Sequence, residues 1–425
     1  MKRLFEIFRL EMLSIVRSKT LLMLSVVSVA WVVVFPYLAK GDGTAAGARE
    51  LQLHYSLGGV FALLVVSLLA SATGTLASER SARRLQLTLV RPVRYAVVAW
   101  GKILAHVAAG AIVLTLSAVT LLLSVKDAPV CNHALSPVLP TPQEEARGMY
   151  KVFMDSPDTP PAVKKAGKAA VLRILEQRAI DHYQTIPTNS TAEWKFDASA
   201  LSRESDLSVR IRFTNSMEMR QDVFGAIRFG NLSAAVSNMT QAVLTIPLVG
   251  GQGASRDEGE GGTRILTFSN NGKHGLMLRP RKDIHLLVPA DAFWLNLLRT
   301  CLELLAVLSV IIAFGVFLSA SLGRPVAIFV AFVTLILSEM SPSVVEQYPS
   351  EIGADFADRI GLALTRFAAE LTHPISALSP LEKLSKDECV ESDEVTKVLV
   401  LDALAVPLLL ALLSGLVMPR KQDEI

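Results

Sequence analysis

A chain of 425 residues that is 51% hydrophobic but only 6% aromatic, with a mean hydropathy of +0.42, holds more aliphatic residue than a soluble domain of that length needs. An ordinary water-soluble fold is therefore excluded for much of it. The net charge of +3 carries no information by itself, whereas the positions of Lys and Arg relative to the apolar runs do.

The first 19 residues place Phe5, Phe8, Met12 and Ile15 at helical spacing, with Arg3, Glu6, Arg9 and Arg17 largely elsewhere, which predicts a helix lying in a membrane interface. Glu6 and Glu11, followed by an apolar run of full span length, argue for a retained anchor over a cleaved leader. Apolar runs at about 20–38, 57–77, 103–125, 295–320, 325–341 and 396–418 predict six spanning helices. The segment 78–102 carries Arg80, Arg83, Arg84, Arg91, Arg94 and Lys102 against Glu79 alone, and short loops so basic stay cytoplasmic. The basic N-terminus, the turn Gly323-Arg324-Pro325 and the tail with Arg420 and Lys421 agree. Both termini are thus expected inside.

The region 127–293 is then external. An amphipathic helix is expected around Val171, Ile174, Leu175 and Arg178. Alternation of Leu207, Val209, Ile211 and Phe213 with polar residues predicts a strand with one wet face, and 223–229, 242–249, 264–269 and 284–288 follow as further strands. Together these predict an inserted external α+β domain containing a β-sandwich. A second external stretch, 342–395, places Ile352, Phe356, Ile360, Leu364 and Phe367 near helical spacing, and the motif from Pro374 to Pro380 is expected to break any helix before the last span.

Signatures of site chemistry are absent. There is no phosphate-binding G-x-x-x-x-G-K-[ST], no H-E-x-x-H and no G-x-S-x-G, and the tract 250–262 reads as a Gly-rich loop. The cysteines Cys131, Cys301 and Cys389 lack metal-site spacing. Cys131 and Cys389 fall on the same external side, where a disulfide and two free thiols are both consistent with the sequence. No metal, cofactor or catalytic residue is expected. Ionisable residues within spans are His106, Glu303, Glu339 and Asp402. Arg299 and Glu303, four apart, are expected to form a structural ion pair, with Glu339 and Asp402 as candidate lining of an exit pathway.

The segment from Ser78 to Arg94 adds an apolar set (Leu85, Leu87, Leu89, Val93) and a Pro turn to its charge, as a short helix docking into a partner's groove would. An exit Glu79-Arg80, a leucine-rich stretch, Arg91-Pro92-Val93-Arg94 and Gly101-Lys102 opening the next helix resemble the permeases of the second class of ABC exporters, similar to the copper-enzyme-maturation type. The amphipathic N-terminal helix with Ser18-Lys19, the six runs and the motif Ser321-Leu322-Gly323-Arg324-Pro325 extend the likeness, while the large insertion between the third and fourth spans departs from it. The resemblance implies a non-enzymatic permease in a bacterial inner membrane, working as a dimer with separate ATPase subunits and with no nucleic-acid partner. It implies ATPase coupling through Glu79, Arg80, Arg83, Arg84, Leu85 and Leu87, and lipid or interface contacts for Arg91, Arg94 and Lys102. A periplasmic accessory protein would be a further partner. The alternative reading is a membrane-anchored sensor or scaffold presenting the external domain.

Overall fold

Helix and strand follow the two periodicities of the chain in separate stretches. The computed structural model describes residues 2–38, 45–81, 94–125, 130–156, 168–180, 182–197, 207–214, 221–240, 243–250, 263–347 and 378–420. Contacts divide these into a helical unit, built from 2–131, 291–344 and 378–420, and a second unit within 132–290.

The helical unit begins with α1 (Lys2–Arg17) and α2 (Thr20–Leu38), separated at Ser18-Lys19. Lys19 adopts the left-handed conformation at φ 58°, and the Ser18 hydroxyl donates to the Ile15 carbonyl at 2.7 Å, so the break is made locally. Then come α3 (Ala45–Ser81), α4 (Tyr95–Ser124), α7 (Phe293–Ser321), α8 (Arg324–Gln347), α9 (Leu378–Ser385), α10 (Ser392–Val398), a π-helical stretch (Leu399–Ala405) and α11 (Val406–Arg420). Among the described residues, five stretches are long and apolar enough to cross a membrane: 20–38, 47–79, 95–124, 293–321 and 392–417. The chain is therefore membrane-embedded. The apolar part of α8, Arg324–Ile336, is shorter than the rest. Helix α9 carries Pro380 in its first turn, where the missing N–H would have had no helical partner, and residues 374–377 of the motif expected to break a helix lie outside the described residues. The amphipathic residues from Ile352 to Phe367 lie outside the described residues.

Outward-facing leucines and valines are the rule in this unit, as on Leu22, Met23, Val26, Leu409 and Leu416. Lipid solvates such side chains as well as a protein interior does, so helix association rests on close packing and polar contacts. α7 is the most enclosed span. Its Gly315 admits Leu69 and Ala72 of α3, since an added Cβ would lie 2.8 Å from a Leu69 methyl. The Trp31 indole of α2 covers Gly59 and donates to the Tyr55 carbonyl at 3.1 Å.

One end of the unit is tied covalently. Cys131 and Cys389 are disulfide-bonded with Cα atoms 5.2 Å apart, 258 residues apart in sequence. Around the bridge, Cys131 N–H donates to the Asp291 carbonyl at 2.9 Å, and the Asn296 side chain donates to the Glu388 carbonyl and accepts from Val390 N–H, each at 2.8 Å.

The second unit contains β1 (Asn132–Leu135), the helices α5 (Pro142–Asp155) and α6 (Lys168–Ile180), and β2 (Gln184–Ile186), β3 (Thr191–Asp197), β4 (Ser208–Arg212), β5 (Asp222–Phe229) and β6 (Leu232–Met239). It continues with β7 (Val243–Pro247), β8 (Val249–Gly250), β9 (Thr263–Asn270), β10 (Leu276–Leu278) and β11 (Ile284–Pro289). The described strands form antiparallel sheets ordered β1-β11-β4-β7, β3-β9-β5-β6-β8 and β10-β2. The two larger sheets feed one apolar core containing Phe196, Phe213, Phe229 and Phe268, with Phe213 and Phe268 rings 4.6 Å apart. The Asn270 amide donates to the carbonyls of Ile186, Pro187 and His274 while its oxygen accepts from Gly272 N–H, so one side chain holds the turn after β9. Helix α5 starts with a capping box: Thr141 and Glu144 satisfy each other's backbone N–H groups.

Candidate functional site

Three helices of the membrane unit bring charge together where an apolar solvent would forbid it singly. On α4, Lys102 is 3% exposed and sits one residue past Gly101. Gly101 is where α1 crosses: an added Cβ would meet an Ile7 methyl at 2.8 Å, so only a glycine lets α1 come this close. That approach delivers Glu11 of α1 to Lys102, whose ammonium donates to Oε2 at 2.6 Å. The last turns of α3 deliver Glu79, whose Oε1 accepts from the same ammonium at 2.8 Å. Two carboxylates on one lysine leave the group with a formal excess of one negative charge, and both hydrogen bonds are of the short, charge-assisted kind.

One helical turn further along α4, the fully buried His106 continues the network. Its Nδ1 lies 2.9 Å from the Lys102 carbonyl, which can only accept, so Nδ1 carries a proton there. Nε2 is 3.0 Å from the Ser71 hydroxyl of α3. On α8, the Arg324 side chain lies over Gly74 of α3, where an added Cβ would come within 3.1 Å of Nε. Glu11, Glu79, Lys102 and Arg324 all line one polar cavity of 330 Å³, together with the hydroxyl residues Ser14, Ser71 and Ser78. The neighbouring hydroxyls of Thr73 and Thr75 bond back to carbonyls of α3 itself. Buried ionisable groups within spanning helices are costly, so their presence marks this cluster as the candidate functional centre of the unit.

The placements differ from the expectations in informative ways. Lys102, expected at a lipid or interface position, is instead enclosed, because two acids on neighbouring helices neutralise it and an unpaired ammonium could not stay there. Glu79 faces inward onto that lysine. Arg80 belongs to α3, while Arg83, Arg84, Leu85, Leu87 and Arg91 lie outside the described residues. Arg94 is exposed at the start of α4.

The expected Arg299–Glu303 pair does not form. Arg299 instead donates to Asp291 at 2.7 Å and to the Val390 carbonyl at 3.3 Å, because Asp291, just before α7 and hydrogen-bonded through its carbonyl to Cys131, offers a carboxylate beside the disulfide. Glu303 is buried with one carboxylate oxygen lacking a partner among the described residues. Asp402 lies in the π-helical stretch, where its carbonyl accepts from the Ser309 hydroxyl at 2.9 Å. Glu339 belongs to α8. Among the described residues no group of three or more His, Cys, Asp or Glu is arranged to hold a metal.

Glu11 and Ser71 were not singled out as site residues by the sequence. Glu11 is one of two acids, with Glu6, on an otherwise basic amphipathic helix, and nothing local marks it apart from Glu6. No protein-family model, curated protein or solved structure matches the chain.

Proposed function

We propose that the chain is the permease subunit of an ATP-driven exporter, coupling hydrolysis by a separate ATPase to movement of a substrate. The observation that supports this most is that Glu79 and Lys102, 23 residues apart, close the base of the segment read as the ATPase-docking loop. A push on that segment would act on the last turn of α3 and the first turns of α4 together. Through Glu11 it would also act on α1. Such a linkage suits rigid-body tilting of spans driven from a loop, the way a subunit without nucleotide-binding motifs would receive work.

In this reading α8 is a sixth span, both termini are cytoplasmic, the two large sheets form a β-sandwich on the far side, and the membrane is a bacterial inner membrane. The disulfide supports that sidedness, since such bonds persist in oxidising compartments. The working unit is a dimer with two ATPase subunits, and the external domain recognises substrate or an accessory protein. A sensor or scaffold is favoured by one observation, that the second unit has a complete core of its own.

Leu85→Asp/Leu87→Asp separates the two. From gently solubilised membranes, the tagged wild type should bring down an ATPase with measurable hydrolysis and the double variant should not. Absence of any ATPase from the wild-type eluate would defeat the transporter reading.

A further inference from the structure

We propose that the pocket between the start of α3 and α9 binds a small organic amine in its ammonium form, with the Glu50 carboxylate and the rings of His54 and Tyr55 as its binding wall. The site rests on the packing of these helices and not on the transport reading.

Helical spacing builds one wall from α3, where Glu50 and His54 stand four apart on one strip and Leu51 and Tyr55 four apart on the next. Opposite them are Glu382, in the second turn of α9, and Lys386, just past its end. The space enclosed is 460 Å³, within the range of small-molecule sites. Three contacts hold the walls in place. Arg49 donates to Asp387 at 2.9 Å, tying the start of α3 to the end of α9. Gly58 faces Leu381, whose methyl would lie 3.7 Å from an added Cβ, and the buried Leu53, Leu57, Leu381 and Leu384 share one apolar core. The Tyr55 ring stacks on Phe35 of α2 with centroids 5.7 Å apart and meets the His54 ring edge-on at 5.1 Å.

Unmet polar capacity chooses the occupant. Lys386 donates to Glu382, so these two charges cancel, as do those of Arg49 and Asp387. Glu50 has no hydrogen bond or ion pair among the described residues, and neither the His54 ring nitrogens nor the Tyr55 hydroxyl has a hydrogen bond there. One negative charge is left over, beside an imidazole and an aromatic face. An ammonium gives N–H donors to the carboxylate and to an imidazole nitrogen, and its charge is attracted by the ring. An anion would face the Glu50 charge with the lysine already engaged, and a neutral apolar ligand would leave the carboxylate unmatched. Among the described residues no three His, Cys, Asp or Glu are arranged for a metal ion.

The test titrates the full chain, in nanodiscs of phosphatidylcholine, with benzylamine and with its neutral near-isostere benzyl alcohol, read by calorimetry. Wild type is expected to bind the amine about tenfold more tightly than the alcohol, the scale of one charge-assisted hydrogen bond. Glu50→Gln, which keeps the shape of an exposed side chain, should bring the two to parity. Tyr55→Leu should weaken the amine by about threefold. Glu193→Gln, which removes an exposed acid from β3 in the second unit, should change neither affinity. Equal affinities in wild type, a preference kept by Glu50→Gln or an unchanged amine affinity in Tyr55→Leu would overturn the proposal. So would a loss in Glu193→Gln as large as in Glu50→Gln, since the amine would then be following overall charge. Discs containing equal phosphatidylethanolamine should leave benzylamine affinity unchanged, and its suppression there would give the pocket to a lipid headgroup instead. If Glu50→Gln fails to insert, the wild-type ratio and Tyr55→Leu still decide.

Discussion

The two units solve opposite problems. The second unit hides four phenylalanines, and its strand β3 alternates exposed and buried residues from Thr191 to Asp197, with Glu193, Lys195 and Asp197 on the exposed side. The helical unit turns leucine and valine outward and gathers Glu11, Glu79, Lys102 and His106 within. In water, apolar burial holds a fold together and polar groups are tolerated where satisfied. In lipid that driving force between helices vanishes, so a satisfied ionic cluster and close glycine contacts must fix which helices touch.

The sharpest way to break this contrast is to unbalance the cluster. Lys102→Met leaves two carboxylates facing each other in a poorly hydrated site, and should lower stability by about 3–5 kcal/mol in detergent melts. Adding Glu11→Gln and Glu79→Gln should restore part of the loss, a recovery that mere loss of a packed side chain would not allow. In the second unit the equivalent blow is apolar. Phe268→Ala should cost about 3–5 kcal/mol and unfold that unit without shifting the melting of the helices. Circular dichroism in the far ultraviolet, followed at helix and sheet wavelengths, separates the two transitions.

Cys131→Ser/Cys389→Ser should destabilise by about 2–5 kcal/mol and abolish the difference in gel mobility between oxidised and reduced chain. Smallest is the cap of α5, where Thr141→Ala should cost about 1 kcal/mol, read as faster amide exchange in the first turn. The Thr141 backbone N–H, with its hydroxyl, holds the Glu144 carboxyl below its ordinary value of 4.5. Its contribution is therefore present above that value and lost as pH falls through the lower folded value. Glu144→Gln should flatten that acid dependence.

The division of labour explains what could be read in advance. Five span positions were legible because about 20 consecutive apolar residues have few other uses, while the run at 325–341 gives a shorter apolar helix among the described residues. Strand β4 was legible because apolar and polar residues alternate from Leu207 to Phe213, and β5, β9 and β11 because short apolar runs are bounded there by Gly, Asn and Asp turns. Strand β6 was missed, since Ser233, Ala234, Ala235, Ser237 and Asn238 carry no strand preference and are held by pairing with β5. β3 alternates as plainly as β4, with Ala192, Trp194 and Phe196 inward, so its strand pattern is equally open to reading. The cluster was illegible for a different reason. Glu11 and Lys102 are 91 residues apart, and no local pattern states which face of one span meets which face of another. Arg299 misled because four-residue spacing suggests a partner on the same helix, while an aspartate before the helix competed better.

The bridge between Cys131 and Cys389 also orders the making of the molecule. Its second half lies 258 residues after the first, beyond the whole β-rich insertion and α7. Synthesis must nearly finish before the bond can close, so the oxidised chain is a record that the insertion and the later helices were already threaded and brought together. A protease cut anywhere in the insertion would then leave two fragments travelling as one until a reductant parts them.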